Sequence, residues 1–345
     1  MRILEALKVC CDKLGLLAAF HRLKNRDTLT VVMFHRVLPV ESLAEADPDY
    51  TISDSLFSQC LAFFRRHYTI VGFDDLLGAQ QGQTRLPWRG LLITFDDGWD
   101  DNLEFAVPRL ADQAVPAMVF ASTDAVADYH PWWWQEVLLA AMRHGRASYE
   151  TLWKAIPDES SPPPDSERIL RLLLRYGACA PDTRQTVLEP FAADHGGRHM
   201  LTPGRLRSLA EAGISVGSHG AGHLPLTMIA DPGADIDRSR RALTNLLPGL
   251  ASSTFSFPHG RHSPSVIAAA FSAGFRILFT SDAVLNRLTD GRPTRVLGRI
   301  EIPAHQIADR HGRLQSHRLA TWLFLRPRHR LGPMAMAGAT PASPG

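Results

Sequence analysis

From residue 29 onward the chain alternates short apolar, often β-branched runs with longer segments of helical periodicity, and few folds accommodate that rhythm. Runs at 29–34, 91–95, 117–121, 214–217, 254–257, 276–279 and 296–302 read as buried strands, with a shorter one at 68–71. Between them, 53–67, 73–79, 102–113, 203–212, 234–247 and 263–273 read as helices, the first with Ser53 as N-cap. Strands separated by helices form a parallel sheet with the helices outside it. About seven such units predict an α/β fold of the distorted, incomplete (β/α) barrel type. Residues 128–200 interrupt the rhythm with three tryptophans, Trp132–Trp134, a Ser-Ser-Pro-Pro-Pro turn at 160–164, and helical stretches near 135–144, 167–176 and 182–193. They read as a helical insertion in a domain spanning 29–305. Residues 1–28 then form an N-terminal amphipathic helix, and 306–345 a basic segment whose Ala/Gly/Pro/Ser-rich end, from about 331, is expected to be disordered.

Charge and cysteine content narrow the classes of function. The formal net charge is +2, which gives no reason to expect nucleic acid as a partner. The cations gather at the ends: Arg2, Lys8, Lys13, Arg22, Lys24 and Arg26 against Glu5 and Asp12, then Arg310, Arg313, Arg318, Arg326, Arg328 and Arg330 against Asp309. The four cysteines, Cys10, Cys11, Cys60 and Cys179, form no CxxC pair and no disulfide framework, which fits reduced thiols in the cytoplasm. Glu5, Lys8, Asp12 and Lys13 interrupt the first apolar residues, unlike a signal peptide. Ile3, Leu4, Leu7, Cys11, Leu14, Leu17 and Ala18 recur at helical spacing instead. Such a helix packs on its own domain, or lies on an anionic membrane surface, which would place the protein at the inner face of the membrane. No stretch is long and apolar enough to span a bilayer.

The chemistry concentrates in two segments. Strand 91–95 runs into Asp96-Asp97-Gly98, and the C-terminal edge of a parallel sheet is where active sites gather. Adjacent strand residues point oppositely, but where the backbone turns both carboxylates can serve one site. An isolated Asp-Asp-Gly is more often a turn or a helix cap. The second segment, Ser218-His219-Gly220-Ala221-Gly222-His223, follows strand 214–217. Its histidines are four apart, as in helical zinc sites, but the glycines indicate a loop, and no Glu follows His219 as in zinc proteases of the His-Glu-x-x-His kind. One carboxylate and two imidazoles suit a catalytic divalent ion, zinc first, with cobalt, nickel or manganese as alternatives. The remaining carboxylate is free for proton transfer.

With these segments in this order, the sequence resembles the polysaccharide deacetylase family (carbohydrate esterase family 4, the NodB-homology domain) over roughly residues 29–305. Thr94-Phe95-Asp96-Asp97-Gly98 matches the first family motif and implies Asp96 as catalytic base and Asp97 as metal ligand. His219-x-x-x-His223 matches the second and implies that both histidines are ligands, with Gly220 where the family has Ser or Thr. Phe257-Pro258-His259-Gly260 resembles the third, a turn lining the substrate site, whose backbone N–H can serve an oxyanion hole. The arginine that normally precedes that proline by two residues and orients the base is Ser256 here. Arg299, in Leu297-Gly298-Arg299-Ile300, is offered as its replacement, against the alternative of an ion pair elsewhere on the surface. The family's last motif supplies a histidine as general acid. His305 is the first candidate, with His259 and His262 behind it. His35, in Met33-Phe34-His35-Arg36-Val37, resembles a feature of bacterial members and belongs near the substrate.

The resemblance implies removal of N-acetyl groups from N-acetylhexosamine units of a glycan, in exopolysaccharide, capsule or cell-envelope synthesis. The altered third motif leaves a glycan-binding protein on a degenerate scaffold as an alternative, and amide hydrolysis on a non-carbohydrate substrate as another. Of the three tryptophans, one, taken as Trp133, is expected at the glycan groove and the others in the core.

Overall fold

The structure, a computed structural model, describes residues 2–44, 46–128, 130–156, 167–192 and 198–327. The turn expected at 160–164, the tail beyond 331, Arg328 and Arg330 lie outside the described residues. Eight strand pieces make up one ring: β1 Thr28–Phe34, β2 Gly90–Phe95, β3 Met118–Ala121, β4 Ser215–Ser218, β5 Ala251–Ser256, β6 Ile277–Phe279, β7 Val296–Leu297 and β8 Ile300–Glu301. Each pairs in parallel with the next from β1 to β7, while β8 pairs back onto β1 through Val32↔Ile300 and Met33↔Glu301. The sheet is a nearly closed, mostly parallel (β/α) barrel.

The last strand, expected to be continuous over 296–302, is kinked at Gly298-Arg299, so one half serves β6 and the other β1. Asn286 secures the kink. Its buried amide donates to the carbonyls of Leu29 at 3.1 Å and Gly298 at 2.9 Å, and accepts from Gly298 N–H at 2.8 Å. The side-chain alternation of strands decides what fills the barrel. Leu29, Val31, Leu92, Met118, Phe120, Ile277, Phe279 and Leu297 share one cluster. Their neighbours Val32, Phe34, Leu91, Ile93, Phe95 and Val119 pack against the helices in another, with Phe57, Leu61 and Phe64 of helix Asp54–His67. Arg299, two residues after the inward Leu297, points the same way, and its guanidinium lies over the Phe120 ring.

The insertion carries its own core. Helices Trp134–Arg143, Tyr149–Ala155, Arg168–Gly177 and Pro181–Ala192 bury Val137, Leu152, Leu172, Tyr176 and Leu188 together with all three tryptophans. Helix Tyr149–Ala155 was absent from the sequence pattern. Ser148, whose hydroxyl accepts from Thr151 N–H at 3.1 Å, caps it. Two further departures have local causes. Residues 102–113 begin as a π-helical turn, Asn102–Ala106, where the Asn102 amide donates to His35 O at 2.8 Å and Pro108 has no N–H to give. The expected single N-terminal helix is two, Arg2–Lys13 and Leu16–Lys24, broken at Gly15, whose φ of 72° ends the first helix in the left-handed region.

Candidate metal centre and base

The site is assembled at the C-terminal ends of β2, β4 and β5. After β2 the chain reverses at once: Asp97 takes φ 74°, a conformation that a non-glycine residue adopts at a cost and that gathers at functional sites. The reversal resolves the opposite-facing problem of adjacent strand residues and brings both carboxylates to one pit. His219 leaves the end of β4. Gly220 has φ 74°, and a Cβ there would sit 3.1 Å from Asp235 Oδ1 and 3.2 Å from Pro258 Cγ, which accounts for glycine where the family carries a hydroxyl residue. Asp235 accepts from Ala221 N–H at 2.9 Å and Gly222 N–H at 3.0 Å, folding the loop so that His223 returns to its partner.

Asp97, His219 and His223 are all buried and hold their donor atoms within 4.8 Å of one another. Asp97 Oδ1 lies 3.2 Å from His223 Nε2 and 3.5 Å from His219 Nε2. The other nitrogens are committed. His219 Nδ1 donates to Ser256 O at 2.9 Å, and His223 Nδ1 to Gln135 Oε1 at 2.7 Å. The Gln135 amide is itself oriented, its nitrogen donating to Gly222 O at 2.9 Å and His223 O at 3.1 Å. With Nδ1 donating, each imidazole in its neutral form turns the Nε2 lone pair toward Asp97. Asp97 Oδ1 is buried with no hydrogen-bond partner, while Oδ2 accepts from Trp99 Nε1 at 2.9 Å. Three buried acceptors facing one another call for a cation, so this donor set fits a divalent metal. Burial alone would raise the Asp97 carboxyl, but positive charge in this site, which His223, His35 and His219 lend when protonated and a cation would lend in their place, holds it far below the usual carboxylate range. Burial lowers His219 to about 4, which keeps its ring neutral, as a ligand must be.

Asp96 is held differently. Arg299, fully buried, donates from Nη1 to Oδ1 at 2.6 Å and from Nη2 to Oδ2 at 2.7 Å, a two-pronged contact. Its Nη2 also donates to Ser256 Oγ at 2.7 Å, and its Nε to Thr280 O at 3.1 Å. Serine at 256 thus leaves room for a guanidinium arriving from the strand kink and accepts one of its protons. Burial would raise Asp96, but Arg299, by its charge and its hydrogen bonds, outweighs it and keeps the carboxyl ionised.

The other residues singled out in the sequence fall around this pit. Pro258 is buried, and His259, at φ 54°, has its ring 4.4 Å from that of His223 and its Nε2 3.1 Å from His223 O. Gly260 closes the turn by donating to Phe257 O at 3.0 Å. His262 Nδ1 donates to Gly260 O at 2.9 Å. His35 lies edge-on to Tyr50 at 4.8 Å and follows Phe34, whose carbonyl accepts from Asp96 N–H at 3.0 Å. His305 is half-exposed, with Asp49 4.0 Å away. Trp133 corrects an expectation. It is buried, edge-on to His223 at 5.2 Å and to Trp99 at 5.6 Å, so it backs a ligand instead of offering a face to a sugar.

Gln135, Trp99 and Asp235 carry further hydrogen bonds of the site, and none of them belongs to a motif singled out in the sequence. Trp99 had a faint signal, two residues past Asp97. Gln135 had none, because its role depends on how the insertion packs.

A family profile described as polysaccharide deacetylase matches residues 85–278, more than half of the chain. Among solved structures the chain is similar to IcaB from Ammonifex degensii, with 20% identity and a TM-score of 0.56 over 86% of this chain and 97% of that one. It is also similar to the deacetylase PplD of Streptococcus pyogenes (15%, 0.51, covering 81% and 94%). A de-N-acetylase of Aggregatibacter actinomycetemcomitans is a third such structure (15%, 0.52, covering 79% and 94%). No curated protein sequence matches. At these identities the likeness to the solved structures speaks for the fold.

Proposed function

The chain belongs to the polysaccharide deacetylase family, and from that premise we propose that it hydrolyses the acetamide of N-acetylhexosamine units in a bacterial polysaccharide or its precursor. The observation that carries this reading is the unpartnered, buried Asp97 Oδ1 facing two imidazole lone pairs beside a separately clamped carboxylate. Asp97, His219 and His223 would hold the ion, zinc by its preference for this donor set, and the ion would supply Lewis acidity toward the acetyl oxygen and acidify a water.

Asp96 takes the proton of the attacking water, and Arg299 keeps that carboxylate ionised and aimed. The Pro258–Gly260 turn stands beside His223, where the His259 N–H is the candidate donor to the developing oxyanion. A histidine then protonates the departing amine. His35, next to Phe34 whose carbonyl accepts from Asp96 N–H at 3.0 Å, suits this step better than the half-exposed His305. Acetate leaves, and the sugar keeps a free amine.

The deciding experiment is acetate release from N-acetylglucosamine oligomers after chelation and after re-addition of Zn²⁺ or Co²⁺. Release that needs the metal and vanishes in Asp96→Asn is expected. Failure across a panel of N-acetylated substrates, with no metal bound, would leave a glycan-binding protein. His35→Ala and His305→Ala separate the two acids by which one depresses turnover.

A further inference from the structure

The second helix, Leu16–Lys24, is apolar on two faces, and only one of them is covered. Leu17 and His21 are buried against helix Ser316–Phe324, His21 stacking on Phe324 at 4.1 Å while Asn25 Nδ2 donates to Phe324 O at 3.1 Å. On the uncovered face Leu16, Phe20 and Leu23, spaced i, i+4, i+7, are 53%, 38% and 78% exposed. Leu7 of the first helix and Leu14 in the turn after it are exposed too, so five of the eleven exposed large hydrophobics among the described residues fall within this hairpin. Scattered exposed leucines need no explanation, but a cluster does. Exposed cations border it: Lys13, Arg22, Lys24 and Arg26, with no acidic residue from Lys13 to Arg26. Arg26 lies over the ring of Trp88, itself exposed, at 3.4 Å.

We propose that this face docks on an anionic lipid bilayer, with Leu16, Phe20 and Leu23 among the upper acyl chains and the surrounding Lys and Arg side chains at the headgroup phosphates. Apolar residues on one side of a helix flanked by cations are the composition of helices that lie in the interface. A second copy of the chain is a poor occupant, because a two-fold contact would set the same uncompensated cations against each other. Residues 328–345 offer no acidic side chain to pair with them either. Docking has an orientation. The hairpin leads directly into Thr28 at the start of β1, and His35 follows its far end, seven strand residues or roughly 23 Å away. The hairpin thus joins the barrel at the N-terminal end of β1, opposite the strand ends that carry Asp96, Asp97 and His219.

Co-sedimentation of the full chain with phosphatidylcholine vesicles, with and without phosphatidylglycerol, tests this independently of the deacetylase reading. Binding only to the phosphatidylglycerol vesicles, weakened by salt, is expected. The exposed substitutions L16S/F20S/L23S and, separately, R22E/K24E should each lower the bound fraction at least about tenfold. Circular dichroism and the thermal midpoint should stay unchanged; if the serine variant melts early, the charge-reversal pair carries the test. No lipid-dependent sedimentation, or undiminished binding by R22E/K24E, overturns the proposal. So does a wild-type dimer that L16S/F20S/L23S renders monomeric, since the face would then be an interface between copies.

Discussion

The barrel and the insertion brace the same candidate metal site by different means. His219 is oriented by a barrel carbonyl, Ser256 O, and Asp96 by a barrel arginine, whereas His223 is oriented by Gln135 on an insertion helix and backed by Trp133. A backbone carbonyl cannot be removed by substitution while the strand survives. A side-chain amide can. The barrel thus fixes the His219 imidazole through its own backbone, whereas the insertion holds the His223 imidazole through a side chain that can change without dissolving the fold. The two are bolted together by Arg36 at the end of β1, which donates to Asp101 at 2.7 Å and to Glu136 of the insertion at 3.1 Å.

The largest expected effect lies in the barrel half. Arg299→Ala strands a buried carboxylate, which should lower stability by about 3–5 kcal/mol and turnover at least about a hundredfold. Arg299→Lys should recover charge but not the two-pronged geometry, giving partial rescue in melting and acetate release. Near-normal turnover in Arg299→Ala would remove it from the mechanism. Next comes the insertion half. Gln135→Leu should leave the barrel folded yet weaken Zn²⁺ or Co²⁺ binding about 10–100-fold by calorimetric titration. Wild-type affinity there would reduce the insertion to a bystander. Trp99→Phe keeps an aromatic ring against Trp133 but removes the donor to Asp97, and should weaken metal binding about tenfold or less.

The smallest effect tests the other appended segment. Burial, with Arg89 and His67 nearby, lowers His21 to about 3 from an ordinary 6.5. Below pH 6.5 the unfolded chain takes up a proton that the folded hairpin refuses, so this stabilisation is complete above 6.5 and drains away as pH falls toward 3. Between pH 7.5 and 5.5 the share lost through His21 should be about 1 kcal/mol, read as the part of the drop in thermal midpoint that His21→Phe removes, while His67, His219 and His259, held low by burial in the same way, contribute the rest. An equal drop in His21→Phe would place the sensitivity elsewhere.

Much of this molecule is legible in one dimension because its physics is local. Strand–helix alternation decides the parallel sheet, and apolar runs such as 91–95 mark the buried strands whatever surrounds them. Asp96, Asp97, His219 and His223 stand out because two short segments carry a whole donor set. Local pattern could not reveal the braces. Gln135 looks like any polar helix residue until the insertion folds against the loop after β4. Trp133 looks like a sugar platform until Trp99 and His223 close over it. Arg299 becomes the partner of Asp96 only because the last strand kinks and the barrel closes, setting residues 203 positions apart within 2.6 Å. Side-chain chemistry and spacing are written in the chain itself. Which buried acceptor meets which donor is a property of closure and packing, and only the tertiary structure decides it.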